Sequence, residues 1–192
     1  SEMVYVGKQK LVGEVIAPAK DMTTVQVYEE TSGLRPGEEV TASGDAVSVT
    51  LAPGILNNIF DGIERPLERI AESAGAFITR GVSVDSLDRQ KKWDTHITVS
   101  KGQYLHGGDI IAEVPETHAI VHKCMVPPDI EGTVIDTVPD GSYTIDETLV
   151  TLQLQNGTEK QLTMTQKWPI RVPRPVHHRF PASVPLITGQ RI

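Results

Sequence analysis

The residues best suited to chemistry cluster in one short stretch, "THAIVHKCM", which holds His118, His122 and Cys124. On a helix, two histidines four apart share a face and can grip one metal ion. The run "AIVHKCM" has the composition of a strand instead. Four strand residues span about 13 Å, too far for both imidazoles to reach one ion. His122 and Cys124 lie on one strand face, about 6.6 Å apart along it, and can share an ion. No third or fourth ligand accompanies them. The expectation is therefore no metal site, with Cys124 serving as a small buried apolar residue.

Other reactive groups read as structural. His177-His178, flanked by Arg174 and Arg179, reads as exposed linker, with a cationic contact patch as the alternative. The carboxylate pairs Glu29-Glu30 and Glu38-Glu39 fall in turn-like sequence, where solvation is the expectation. There is no GxSxG, and nothing around Cys124 matches a cysteine-nucleophile signature. None of the nine lysines precedes Ser or Thr, as a P-loop requires, and no GxGxxG occurs. Trp93 and Trp168 read as core or hinge packing rather than a ligand platform.

The elements that must position these groups are mostly strands. The chain has 192 residues, 39% hydrophobic and 22% charged, close to a soluble globular average, which excludes disorder throughout. A net charge of −7 argues against a dedicated nucleic-acid binder. A single cysteine forms no internal disulfide, and no apolar run approaches the roughly 20 residues that span a bilayer. "MVYV", "TTVQVYE" and "AVSVTLA" read as strands, the last two with Val25/Val27 and Val47/Val49/Leu51 on alternating positions. "PGILNNIFDG" reads as about two helical turns. "RPLERIAESAG" reads as one amphipathic helix: Leu67, Ile70, Ala71 and Ala74 form its apolar face, and Arg65, Glu68, Arg69 and Glu72 its solvent side. Pro66 suits its start and Gly75 its end.

From about residue 91 the chain turns to β again: "DTHITV", "DIIAEV", "HAIVHKCM", "GTVIDTV", "TLVTLQL" and "TEKQLTM". "PDGSY" and "QNGTE" are hairpin signals. In the second, Asn156 and Gly157 both tolerate the positive φ of a tight turn. From Trp168 onward prolines dominate (Pro169, Pro173, Pro175, Pro181, Pro185), which predicts an extended linker rather than sheet. The fold class predicted is mainly β: a small barrel or a piece of one, a short helical crossover, then a second compact β-rich module. There is no internal repeat and no low-complexity block.

The runs "LVGEVI", "VQVYEETSGLRPGEEV", "GDAVSVTLAPGI" and "FDGIERPL" resemble the N-terminal part of the catalytic A subunit, or alpha chain, of V-type and A-type rotary ATPases. "HKCMVPPDIEGTV", "YTIDETLV", "LTMTQKWPIRVPRPV" and "VPLITGQRI" continue the likeness in the same order. The resemblance covers nearly the whole chain from Lys10. It implies a truncated N-terminal barrel over 1–53, a helical crossover over 54–90, a bulge domain over 91–168 and a linker over 169–192 toward a nucleotide-binding domain. It also implies that the chain is a piece of a longer polypeptide, ending before the P-loop. No catalytic, cofactor-binding or metal-ligating residue of that family maps onto any position here. ATP and Mg belong to the parent subunit, which couples ATP hydrolysis or synthesis to proton or sodium transport.

For partners, the resemblance implies contact with the peripheral stalk and with the B subunit. It implies a cytoplasmic place, peripheral to the membrane, in the soluble head. It implies no nucleic acid and no membrane insertion. A barrel missing strands exposes edges, so residues 1–50 are expected to pair abnormally or to self-associate. Two rivals remain. "GGDIIAEV" followed by "PDIEGTV" is similar to biotinyl and lipoyl carrier domains, but the stretch between them carries His118 where a carrier has its modified lysine, and Lys123 falls within a strand. A stand-alone β adaptor is the other.

Overall fold

The computed structural model describes residues 2–56, 58–75, 77–174, 176, 178–183 and 185. The first fifty residues supply β1 (Glu2–Val6), β2 (Leu11–Pro18), β3 (Thr23–Val27) and β4 (Val40–Ala46), which form an antiparallel sheet in the order β3-β2-β1-β4. Val4, Val6 and Leu11 are its buried apolar residues, packed with Val15, Val25, Val27 and Leu34. No closed barrel forms among the described residues. β5 (Ser48–Leu51) leaves this sheet and pairs with the last strand, β14 (Gln166–Pro169), placing Val49 opposite Trp168 and Ser48 opposite Pro169. The expected linker thus begins as strand. Pro169 lies at the end of a two-stranded ribbon, where its missing donor costs little.

The segment between the modules holds one helix among the described residues, α1 (Leu67–Ala74), with Pro66 at its N-cap position and Gly75 (φ 80°) ending it. The helical turns expected over "PGILNNIFDG" do not form among its described residues. Gly54 has φ 108°, and the N–H groups of Gly54 and Leu56 donate to Glu116 Oε1 at 2.7 and 3.1 Å. The left-handed Gly54 breaks the run at its start, the Glu116 carboxylate takes two of its N–H groups, and Ile55 and Phe60 pack on the main core. The face of α1 is also narrower than its spacing predicts. Ile70 is buried, but Ala71 is exposed.

The second module is a sandwich of two four-stranded antiparallel sheets. One is ordered β13-β12-β10-β7, from β7 (Tyr104–Leu105), β10 (Gly132–Thr137), β12 (Val150–Leu154) and β13 (Glu159–Leu162). The other is ordered β11-β6-β8-β9, from β6 (Lys92–Ile97), β8 (Ile110–Pro115), β9 (Val121–Met125) and β11 (Gly141–Thr144). Their inner faces enclose the main core, including Leu105, Ile111, Val114, Val134, Leu149 and Leu152. Ala52 just after β5, Leu87 from the crossover and Trp93 from β6 belong to the same core.

The two hairpin signals part ways. "PDGSY" joins β10 to β11, but these lie in different sheets, and β11 pairs with β6. "QNGTE" does close a hairpin. The loop has three residues between the paired Leu154 and Thr158, and only Gly157 takes positive φ (81°). Asn156 keeps an ordinary backbone and accepts from Thr158 N–H and Oγ1 through its side-chain oxygen. This arrangement is a three-residue loop closed by a left-handed glycine rather than a two-residue turn.

Candidate functional site

The reactive residues singled out by sequence do not converge. Thr117 Oγ1 accepts from the N–H groups of Ala119 and Ile120, which makes a tight turn there. His118 therefore sits exposed in the loop before β9 rather than on the strand. His122 and Cys124 share the inner face of β9. Cys124 is 2% exposed, and burial pushes its thiol up to about 12, so it stays protonated at neutral pH. Among the described residues, no group of three or more His, Cys, Asp or Glu is placed to hold a metal ion. Lys123 lies within β9 opposite Glu113, not on the hairpin tip where a carrier lysine would stand. His178 stacks edge-on with Phe180, and Arg179 is exposed; His177 lies outside the described residues.

What the structure does bring together is a set of buried ionic ties between distant segments. Glu14 in β2 is fully buried, and its two oxygens accept from Nε and Nη2 of Arg171 at 2.6 Å each. Tyr28 donates its hydroxyl to the same carboxylate at 2.5 Å. A second tie centres on Arg65, whose side chain is 11% exposed; it meets Asp61 at 2.7 Å and Glu29 at 3.1 Å. This corrects the sequence reading, which puts Arg65 on a solvent face and Glu29 in a solvated turn. Glu29 is 6% exposed and also accepts from Gly81 N–H. Its neighbour Glu30 stays in solvent, and hydrogen bonds from Ser32 hold its carboxyl below the usual value. Glu38 accepts from the backbone of Arg35 and Lys8, fixing a turn, and Glu39 is exposed.

The third tie is Glu116, buried at the end of β8, which holds the crossover through Gly54 and Leu56 and stands 3.6 Å from His122 Nδ1. Burial lowers the pKa of His122; Glu116 opposes that shift and Arg174 adds to it. Trp93 is core, and Trp168 donates its indole N–H to the Val172 carbonyl at 2.7 Å under the guanidinium of Arg174. These ties join segments that lie far apart in the sequence. They brace the β5–β14 ribbon and the crossover against the two sheets. Sequence reasoning misses Glu14 and Arg171. The only local sign is a lone carboxylate inside the apolar run "LVGEVI".

A P-loop cradle for a nucleotide and its magnesium needs a lysine followed by Ser or Thr. No Lys-Ser or Lys-Thr pair exists. The N-terminus of α1 follows Pro66 and carries Glu68 in its first turn, so it offers a carboxylate where a phosphate would need bare N–H groups. No helix among the described residues is long and apolar enough to cross a membrane.

Among the described residues, two β modules meet at one junction braced by these ionic ties. Residues 1–44 match the family model for the ATP synthase alpha/beta family, beta-barrel domain, and residues 84–171 match that for the ATPsynthase alpha/beta subunit barrel-sandwich domain. The chain belongs to the ATP synthase alpha/beta family. It is 48% identical over 192 residues to the V-type ATP synthase alpha chain of Halothermothrix orenii, covering all of this chain and 32% of that one. It is 50% identical over 191 residues to the A-type ATP synthase A subunit of Pyrococcus abyssi, covering 19% of it, and 47% identical to that of Methanopyrus kandleri, covering 32%. The chain thus spans a third or less of the length of these relatives.

Proposed function

We propose that these residues form a non-catalytic scaffold within the catalytic chain of an ion-translocating ATPase. In this reading the whole chain binds ATP and Mg, and couples ATP hydrolysis or synthesis to proton or sodium movement. The β3-β2-β1-β4 sheet serves ring assembly with the B subunit. The barrel-sandwich module projects toward the peripheral stalk, in a head on the cytoplasmic side, peripheral to the membrane. The division proposed is barrel portion 1–53, crossover 54–90, bulge 91–168 and return segment 169–192, with β14 acting as the clasp across the last boundary.

One observation carries the reading. The barrel-sandwich module leaves the first sheet through β5 and returns beside it through β14, locked by Glu14 and Arg171. A rigid excursion anchored at both ends transmits load without needing a reactive site of its own. The missing Lys-Ser/Thr pair supports the same view. The test is native mass spectrometry of this chain mixed with stalk subunits and the B subunit of a relative. Stable heteromeric species are expected, and failure to form any would contradict the scaffold role.

A further inference from the structure

Two strands from different sheets run unpaired along opposite sides of one groove. β9 closes the sheet β11-β6-β8-β9, and β13 closes the sheet β13-β12-β10-β7. The groove between them encloses about 780 Å³ and is lined by His122 to Met125 of β9 and by the run from Lys160 to Pro169. A groove lined by consecutive strand residues presents main chain as well as side chains. Register fixes which groups point outward. Leu154 donates to the Thr158 carbonyl at 2.8 Å, and β12–β13 pairs Leu152 with Lys160 and Val150 with Leu162. Alternation along an antiparallel ladder then turns the N–H and C=O of Gln161 away from β12.

The groove is also positive. Lys123, Lys160, Lys167 and Arg174 line it against a single carboxylate, Asp129. Lys167 is paired with Asp45 at 2.9 Å, but among the described residues no ion pair neutralises Lys123, Lys160 or Arg174. This concentration of cations stands out in a chain of net charge −7. Met125, Leu162 and Trp168 add apolar lining.

We propose that the groove binds an extended acidic polypeptide segment, which adds to the free edge of β13 and sets its carboxylates against Lys123, Lys160 and Arg174. Main-chain pairing with an edge gives affinity, and alternate side chains give specificity. The cationic rim selects an acidic partner over a basic one. This goes beyond the scaffold role and stands whether or not the stalk contact does.

The 192-residue chain is titrated with a fluorescent peptide of alternating valine and glutamate, and separately with its valine–lysine counterpart. The acidic peptide binds saturably and about tenfold more tightly, and the preference shrinks with added salt. Hydrogen exchange at the Gln161 amide slows in the complex. Lys160→Glu weakens binding about fivefold. Gln161→Pro abolishes it, because it removes an outward N–H without breaking a rung of the β12 ladder. Should that variant fail to fold, the exposed reversals Lys160→Glu and Lys123→Glu carry the test. Absent binding, equal affinity for the two peptides, or binding without protection of Gln161 overturns the proposal. So does concentration-dependent self-association that protects Gln161 in the unliganded chain, which would assign the edge to a second copy.

Discussion

Arg171 and Glu14 meet across 157 positions of sequence, with each carboxylate oxygen 2.6 Å from a guanidinium nitrogen. The partners differ in environment: Glu14 is fully buried, while the Arg171 side chain is 61% exposed. The carboxylate is therefore the dependent member, because a buried charge that loses its partner keeps its desolvation cost. Arg171→Ala is expected to lower the melting temperature by several degrees. Arg171→Lys recovers only part of it, since an ammonium cannot fork across both oxygens. A melt unchanged by Arg171→Ala would show that the clasp carries no stability.

Tyr28 gives the same cluster a pH signature. Its hydroxyl pKa is raised above the ordinary 10.0, first by donating to Glu14, then by burial and by the Glu14 charge. A group whose folded pKa is raised contributes stability that is fully present below the unfolded pKa and lost as pH rises through the folded one. Stability is thus expected to decline from about pH 10 upward as this phenol ionises late. Tyr28→Phe should flatten that decline. Denaturant midpoints across this range, with tyrosinate absorbance followed in parallel, check it.

Arg65 sits between Glu29 and Asp61 with little solvent access to any of the three. For Asp61, burial pushes the carboxyl up, but hydrogen bonds from the Arg65 backbone and side chain and from Ile63, with the Arg65 charge, outweigh it and hold it low. Arg65→Ala leaves two buried carboxylates facing each other and is expected to cost about 3–5 kcal/mol. Chemical denaturation measures this. Because the Asp61 pKa is depressed, its contribution is present above the usual carboxylate range and lost as pH falls through the folded value.

Gly132 opens β10 where a Cβ would stand 2.4 Å from the Gln153 carbonyl oxygen of the neighbouring strand. That contact is backbone, so no side-chain rotation relieves it. Gly132→Ala is expected to destabilise the sandwich by about 1–3 kcal/mol through forced displacement of β12. Gly62→Ala meets nothing within 4 Å and serves as the control. Equal denaturation midpoints for the two variants would contradict the close approach.

Local pattern makes the second module legible and leaves the junction hidden. The strands of the sandwich follow from alternation, and α1 from its 3.6-residue spacing between Pro66 and Gly75. The Asn156-Gly157 turn stands where its dipeptide predicts, although Asn156 does not need positive φ. The failures share one cause. Gly54 takes a left-handed φ and, with Leu56, donates to Glu116 some 60 residues away, a tertiary arrangement that the helical pattern does not reveal. Trp168 and Pro169 look like linker but pair with β5, about 120 residues earlier. Glu29 and Arg65 look like surface charges until their partners are known. Long-range electrostatics and strand pairing leave no periodic trace in the chain, and these are what build the junction.

Isothermal titration of MgATP into this chain tests most directly the claim that these residues build and brace rather than react. The scaffold account predicts no saturable heat, because no lysine here precedes Ser or Thr and the only helix among the described residues begins with Pro66 and Glu68. Tight one-to-one binding of the nucleotide would contradict it.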